Sequence, residues 1–396
     1  MSAAGHVDVS VVTSGHDVAD ARLHREVAAL LRHGMRVEVL GLGDAADGPP
    51  GAQVRTWPRP GPVGRAALAA QLAMRARGRV LITLDPDSAV AAGTAVLASG
   101  RVLVIDVHED YAQLLADRAW ASAYGGLAGT AARRIVTTFT GLAQRAALTV
   151  VADDHVPPLR ARNRLVVRNE PDPAMLPEPA APDATPRALY VGDLRTSRGL
   201  FAMIGALRHA TQWHLDLVGP VAPADQDRLD AELTGDLRER VHLHGRRPPT
   251  QAWELASGAW CGLALLADTP AFRDALPSKV WEYLACGLPV VTTDLARTAA
   301  LVRRESAGVV VPSWAPGVTA PSGASRSDAP RSQVGSGADL VDEATVARAV
   351  GEHLAAWSAD PVSLDGLRRA AREAGDRRRR ERTAYDDFAD AVARLL

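Results

Sequence analysis

The segment 272–293 combines a short predicted helix with charged residues at its start. Pro277 and Ser278 are typical first residues of a helix, and Gly287 is typical of a helix end. A helix N-terminus presents unpaired backbone N–H groups and a partial positive charge, which suit a diphosphate. Lys279 adds a cation at the same place. The segment therefore predicts an anion site at the start of this helix.

Two carboxylates accompany this helix. Glu282 lies one turn inside it, where a carboxylate accepts hydrogen bonds from two adjacent hydroxyls, such as those of a ribose. Asp274 lies in the preceding loop, eight residues earlier. The alternative interpretation is an ordinary loop, helix and strand with one surface carboxylate and one surface lysine.

A second candidate anion site follows the apolar strand predicted at 188–191. Gly192, Arg195 and Arg198 lie in the loop between this strand and the next helix, a setting that favours anion binding. Gly219 follows the next apolar strand and allows the backbone to approach a ligand closely. Without a ligand, the two arginines would be solvated loop charges.

Strands and helices must alternate to position these residues. In the first half, predicted strands at 7–13, 37–40, 80–84 and 102–107 alternate with helices, the first at 19–33. In the second half, strands at 188–191, 214–218, 241–244 and 262–266 do the same. This alternation predicts an α/β fold with two Rossmann-like parallel-sheet domains that face a central cleft. Ligands of such sheets bind at the carboxyl ends of the strands.

Composition changes along the chain predict the domain boundaries. We expect an N-terminal acceptor-side domain at 1–170, a proline-rich linker at 171–186 and a nucleotide-binding domain at 187–375. The segment 312–338 has almost no large apolar residue and predicts a disordered insertion. A C-terminal helix is predicted at 376–396, and packing against the N-terminal domain is one option for it.

The string from Ala275 to Pro289 resembles the Glu-x7-Glu motif of family 4 retaining glycosyltransferases, also called group 1, which have the GT-B fold. Asp274 stands at the first acidic position and Glu282 at the second. The resemblance implies a nucleotide-sugar donor, UDP- or GDP-linked, that contacts Leu276, Pro277 and Ser278.

The loop after residue 191 resembles the Gly-Arg-Leu-x-x-x-Lys-Gly phosphate loop of this family. Arg198 takes the lysine position, and Asp193 stands where the family commonly has arginine, which leaves Arg195 as the candidate second cation. Gly245 matches a family glycine near the nucleotide base.

Two segments of the first half also resemble the family. The string Ile105–Tyr111 places His108 at the strand end whose histidine faces the transferred sugar. Gly15 and His16 match a first loop that borders the acceptor pocket. The alternative is that His16 and Asp17 cap the first helix.

The resemblance implies a hexosyltransferase-type enzyme of polysaccharide, glycolipid or glycosylated-metabolite biosynthesis that retains the anomeric configuration at an acceptor hydroxyl. His108, Asp274, Arg198 and Lys279 are the catalytic candidates. No cofactor beyond the nucleotide-sugar co-substrate and no metal are expected, and we interpret the acidic pair in 85–87 as a loop feature. A nucleotide-sugar 2-epimerase of the same fold and a non-catalytic, partner-binding subunit are the alternatives.

Composition limits the remaining functions. The net charge of -1 argues against nucleic acid as a partner. Two cysteines without close partners, no leader and no long apolar run predict a cytoplasmic protein. The arginine-rich stretch 55–79 predicts either peripheral contact with the inner face of the membrane or a solvated basic surface.

Overall fold

The computed structural model of the protein describes residues 6–111, 127–270, 272–273, 278–318 and 340–396. The chain forms two compact units, the first from Met1–Asp172 with Arg382–Leu396 and the second from Pro173–Glu381. Three predicted site residues, Asp274, Leu276 and Pro277, lie outside the described residues, as does most of the predicted insertion, residues 319–338.

A parallel sheet forms the centre of the first unit. Its described strands are β1 Val9–Asp17, β2 Val37–Leu42, β3 Gln53–Trp57, β4 Val80–Thr83, β5 Val102–Val107, β6 Leu148–Val151 and β7 Arg164–Val166. They pair in the order β3-β2-β1-β4-β5-β6-β7. The central strands are apolar on both faces because helices cover both sides of a parallel sheet.

Within residues 6–111 and 127–172, four helices pack on this sheet. They are α1 Ala21–Arg32, α2 Pro62–Arg75, α3 Pro86–Ser99 and α4 Leu127–Arg145. Neighbouring residues of β1 point to opposite faces, so that Val11 packs with α1 and Val12 packs with the cluster that contains α2 and α3.

The second unit repeats this architecture. Its described strands are β8 Arg187–Val191, β9 His214–Val218, β10 Val241–Gly245, β11 Cys261–Ala264, β12 Val290–Thr293 and β13 Gly308–Val311. They are parallel in the order β10-β9-β8-β11-β12-β13. Among the described residues, the prediction of two parallel-sheet α/β domains is confirmed.

Helices again cover both faces of this sheet. They are α5 Leu200–Ala206, α6 Gln226–Glu232, α7 Leu237–Arg240, α8 Pro249–Glu254, α9 Ser278–Ala285, α10 Ala296–Glu305, α11 Glu343–Ala359 and α12 Pro361–Arg380. Helices α5 and α11 pack on one face, and α9, α10 and α12 belong to the cluster on the other face.

The chain returns to the first unit for its last helix, α13 Ala384–Ala393. Tyr385 and Phe388 are fully buried in the same cluster as α1. Thr383 and Asp386 form a capping box at the helix start. The segment 376–396, predicted as one helix, is thus divided between α12 and α13.

Arginines of α12 hold the proline-rich segment that we predicted as a linker. Arg379 donates hydrogen bonds to the carbonyl oxygens of Pro173 and Pro177, at 3.1 and 2.9 Å. Arg368 and Arg372 both donate to the carbonyl of Ala180. From Pro173 onward, this segment belongs to the second unit.

The arginines of the stretch 55–79 are largely engaged within the first unit. Arg55 and Arg77 bond the buried Glu38 carboxylate, and Arg75 lies 5.7 Å from the ring of Trp57. Within this stretch, residues 55–57 belong to strand β3 and residues 62–75 form helix α2. Among the described residues, no helix combines the length and apolar character needed to cross a membrane.

The hydroxyl of Tyr283 fixes α9 on the second sheet. Tyr283 is fully buried, donates to the carbonyl of Leu263 in β11 at 3.2 Å and accepts from the N–H of Val191 in β8 at 3.3 Å. These bonds set the position of the helix that carries Lys279 and Glu282.

We expect Tyr283→Phe to lower the free energy of unfolding by about 1–3 kcal/mol, because it leaves a buried N–H and a buried carbonyl unpaired. Tyr385→Phe is the matched control. The Tyr385 hydroxyl is buried without a hydrogen-bond partner among the described residues, so that its removal should cost little. Urea unfolding of both variants measures the difference, and equal effects would contradict the role assigned to Tyr283.

Candidate functional site

Lys279 lies in the first turn of α9 and is 7% exposed. Its ammonium nitrogen lies 3.9 Å from the centre of the Tyr190 ring. Among the described residues, this nitrogen has no hydrogen-bond partner. A buried ammonium without an anion is unfavourable, and an aromatic ring offsets only part of that cost. This environment therefore favours the binding of an anionic ligand beside the Lys279 ammonium.

Two glycines open space in front of Lys279. A Cβ on Gly192 would lie 2.8 Å from the Lys279 nitrogen and 3.6 Å from Nη1 of Arg198. A Cβ on Gly219 would lie 2.0 Å from the carbonyl oxygen of Gly192, so that only glycine allows the two loops to touch. These loops follow the carboxyl ends of β8 and β9. Lys279 and Arg198 therefore converge on the loop at Gly192.

The two arginines of this loop differ. Nε of Arg198 is buried without a partner among the described residues, and its guanidinium lies 5.8 Å from the Phe272 ring. Arg195 is more exposed and donates to Asp193 at 2.8 Å. The structure thus places Arg198 beside Lys279 and pairs Arg195 with the neighbouring acid.

Glu282 lies on the second turn of α9 and is 8% exposed. The hydroxyl of Ser278 donates to its Oε2 at 3.4 Å. Gly245 ends β10, and its carbonyl accepts the N–H of Gly219 at 2.8 Å. Glycines 219 and 245 therefore lie together at the carboxyl edge of the second sheet.

The first unit contains a cavity of about 610 Å³ at the carboxyl ends of its strands. Its lining includes the predicted residues Gly15, His16 and His108, together with Arg22, Arg65 and Asp85. The rings of His16 and His108 meet edge to face, with centroids 5.2 Å apart. Burial and the neighbouring His108 lower the pKa of His16, which favours a neutral imidazole.

His108 belongs to a cluster of charged residues that are largely buried. Nε2 of His108 is 2.5 Å from Oδ2 of Asp106, a fully buried residue of β5. Arg22 of α1 donates to both oxygens of Asp106, at 2.8 and 2.7 Å, and to the carbonyl of Val167 at 2.7 Å. Although burial opposes it, Arg22 and His108 hold the pKa of Asp106 well below its ordinary value.

The carboxyl group of Glu26 lies in the same cluster. Burial, followed by the charge of Asp106, raises the pKa of Glu26 well above its ordinary value, which favours the protonated form, although Oε1 lies 3.2 Å from Nε of Arg22. Among the described residues, Glu26, Asp106 and His108 are the only group of three metal-ligand types within reach of one another. Because the Arg22 cation already bonds both oxygens of Asp106, this group does not fit a divalent metal.

Asp85 organises the loop that carries Gly15 and His16. It caps α3 through the N–H of Ser88 and accepts hydrogen bonds from both Thr13 and Ser14. Its carboxylate is 1% exposed and also lies near Arg65. The acid is therefore saturated with donors from its own unit.

The alternative in which His16 and Asp17 cap the first helix is wrong. The cap of α1 is Asp20, whose carboxylate accepts the N–H groups of Arg22 and Leu23. His16 instead accompanies His108 at the cavity.

The sequence interpretation missed Asp106, Glu26 and the role of Arg22. One signal was available, because Asp106 interrupts the otherwise apolar strand 102–107. Another was the spacing of Arg22 and Glu26, which places an ion pair on one helix face. Neither signal indicates that Arg22 and Asp106 pair with each other.

Comparison with known proteins adds to this geometry. Residues 185–320 match the model of a family described as glycosyl transferases group 1. This region contains Gly192, Arg198, Lys279 and Glu282. A comparison with curated protein sequences finds no match.

Several solved structures resemble the chain over nearly its whole length. HepE of Anabaena, in complex with UDP and glucose, is 16% identical with a TM-score of 0.60, covering 99% of this chain and 100% of that chain. Sucrose-phosphate synthase of Thermosynechococcus elongatus is 15% identical with a TM-score of 0.58, covering 98% and 97%. WaaG, a glycosyltransferase involved in lipopolysaccharide biosynthesis, is 15% identical with a TM-score of 0.57, covering 97% and 99%. The chain thus has the predicted GT-B fold.

We compare the free energy of unfolding of Glu26→Gln with that of the wild type at pH 5 and at pH 8. We expect the difference to move in favour of the variant as the pH rises. Folded Glu26 keeps its proton, whereas the unfolded chain loses it above the ordinary pKa of 4.5. The wild type therefore loses stability as the pH rises above about 4.5, and the variant lacks this contribution.

The matched control is Glu38→Gln, which should destabilise the fold to a similar extent at pH 5 and pH 8. Although burial raises it, hydrogen bonds from Ser10 and Arg77 lower the net pKa of Glu38 below 4.5, so that its carboxylate stabilises the fold at both pH values. Urea unfolding at both pH values measures the two effects. If the Glu26→Gln effect does not increase with pH, Glu26 is ionised in the folded protein.

Proposed function

We propose that the protein is a glycosyltransferase of family 4 that moves a sugar from a nucleotide-diphosphate donor to an acceptor hydroxyl. The observation that carries this proposal is the buried Lys279 ammonium, which converges with Arg198 on the Gly192 loop without an anionic partner among the described residues. A diphosphate supplies the missing negative charge.

The residues of the second unit have separate roles in this proposal. Lys279 and Arg198 stabilise the negative charge that grows on the departing diphosphate. Glu282 lies one turn further along α9 and accepts hydrogen bonds from the ribose hydroxyls, with Ser278 beside it. Gly192, Gly219 and Gly245 leave room for the nucleotide backbone to approach the loops.

The first unit receives the acceptor and holds the sugar in this proposal. The cavity with Gly15 and His16 takes the acceptor, and His108 hydrogen-bonds the transferred sugar. Asp274 is proposed as a further sugar contact from its sequence position alone. Among the described residues, neither unit supplies an obvious nucleophile. We therefore propose direct attack by the acceptor hydroxyl on the face that the diphosphate leaves, with retention of configuration and with transfer of the hydroxyl proton to the leaving diphosphate oxygen.

The comparisons support the class of donor. The matched family region, 185–320, covers every described residue to which we assign nucleotide contacts. One similar structure is described as a complex with UDP-glucose. We therefore propose a UDP- or GDP-sugar as donor, with the charge of its diphosphate neutralised by protein cations rather than by a metal.

Lys279 is the only lysine of the chain, which allows a direct binding test. Protein with ¹³C at the ε-carbon of lysine gives a single side-chain resonance. We expect this resonance to shift on titration with UDP, and Lys279→Met to weaken UDP binding by about 10- to 100-fold, as the loss of a charged hydrogen bond predicts.

Arg348→Met is the charge-matched control, because it removes one exposed cation from α11 outside the site. Calorimetry should show unchanged UDP affinity for this variant. No shift of the lysine resonance with UDP, GDP or their sugars would contradict the enzyme and favour a partner-binding subunit, for which the Asp193–Arg195 ion pair is the supporting observation.

Retention of configuration is tested with the donor alone. With water as a slow acceptor, ¹H NMR of the first turnovers should show the sugar released in the anomeric form of the donor, in the presence of EDTA. Release of the opposite anomer would overturn the retaining mechanism. A stereoisomeric nucleotide sugar would instead identify a 2-epimerase.

A further inference from the structure

Asp106 determines which nitrogen of His108 is available to a ligand. The carboxylate is ionised, because Arg22 bonds both of its oxygens and a carboxylate in that state only accepts hydrogen bonds. Nε2 of His108 lies 2.5 Å from Oδ2. Nε2 must therefore carry a proton and donate it to Asp106, so that Nδ1 is the only ring nitrogen that can accept a hydrogen bond.

The surrounding residues fix the orientation of the Asp106 carboxylate. Arg22 is 6% exposed and is held by the carbonyl of Val167 as well as by Asp106. Asp106 itself is completely buried. Burial and Asp106 raise the pKa of Glu26, the other acid in the cluster, which favours the negative charge on Asp106. The orientation of the carboxylate is therefore determined before any substrate arrives.

Within this cluster, Arg22 lines the cavity, and so does His108. Its side chain is 14% exposed and lines the cavity beside His16. A ring nitrogen that can only accept selects a ligand group that donates, such as a hydroxyl, over a carbonyl or phosphate oxygen.

We propose that Asp106 is a positioning residue that holds His108 in the Nε2–H tautomer, so that Nδ1 accepts a hydrogen bond from a hydroxyl of the substrate. The identity of that hydroxyl rests on the proposed function, whereas the tautomer does not. Arg22 acts one step further back by fixing the Asp106 carboxylate. The role resembles that of an acid that orients a catalytic imidazole.

The first test is the tautomer of His108 in the wild-type protein. Long-range ¹H–¹⁵N correlation spectra of histidine-labelled protein distinguish Nε2–H from Nδ1–H, and the His108→Gln variant assigns the signal. We expect the proton on Nε2. A proton on Nδ1 would overturn the proposal, whatever the activity of the enzyme.

The second test is Asp106→Asn. Arg22 donates to both oxygens of Asp106, so that the amide NH₂ replaces one of its two acceptors. Because Nε of Arg22 also lies 3.2 Å from Oε1 of Glu26, we expect the NH₂ at the Oδ2 position, where it faces Nε2 of His108 and that nitrogen has to accept. We expect the proton to move to Nδ1 and kcat for donor turnover to fall by roughly 10²- to 10⁴-fold. The KM for the donor should change little, because the nucleotide contacts belong to the second unit.

Asp172→Asn is the matched control. Asp172 is also buried and pairs with an arginine of α1, Arg32, at 2.6 Å, but it is not part of the described cavity lining that contains His108. This variant should keep the His108 tautomer and kcat. An equal loss of kcat in both variants, or an unchanged tautomer in Asp106→Asn, would contradict the proposal.

The outcomes separate this inference from the proposed function. If the wild type binds and turns over no nucleotide sugar, the proposed function fails, while the NMR result still decides the tautomer. If Asp106→Asn does not fold, the wild-type spectrum remains decisive.

Discussion

The first unit depends on the ion pair between Arg22 and Asp106. Taking a guanidinium and a carboxylate out of water costs several kcal/mol for each ion, so that neither can be buried here without the other. The pair connects α1 to β5, and the bond from Arg22 to Val167 extends it to the end of β7. Removal of one partner of such a pair typically costs about 3–5 kcal/mol. The same ion pair therefore stabilises the fold and holds the cavity wall in place.

The buried cation Lys279 of the second unit has a different environment. Lys279 is nearly as buried as Arg22, but among the described residues it has an aromatic ring and no carboxylate as its neighbour. In the first unit, charge is neutralised within the protein and serves to orient a side chain. In the second unit, the Lys279 ammonium at a glycine loop has no carboxylate partner among the described residues, whereas the neighbouring Arg198 lies 3.9 Å from Asp193. An uncompensated cation at such a loop is expected of a site whose anion comes from a ligand.

Much of this organisation could be predicted from local patterns. The apolar strands and the helix at 278–285 were expected close to their observed bounds, and Lys279 and Glu282 lie on that helix as predicted. Strand β3 was not expected, because Gln53–Trp57 is polar and lies in a basic stretch. The helix predicted at 376–396 was divided because Arg382 and Thr383 separate two helices that pack in different units.

The sequence by itself determined the alternation of strands and helices, and with it the two parallel sheets, since hydrophobic periodicity and glycine positions are local properties. It also placed the anion-binding candidates, because a helix start and the loop after a strand are local features. Only the tertiary structure decided which charges are neutralised. Arg22 and Asp106 are 84 residues apart, and Asp85 meets Ser14 across 71 residues. Such pairs form only when parallel strands bring their ends to one edge of a sheet, and no local pattern in the chain specifies that neighbour.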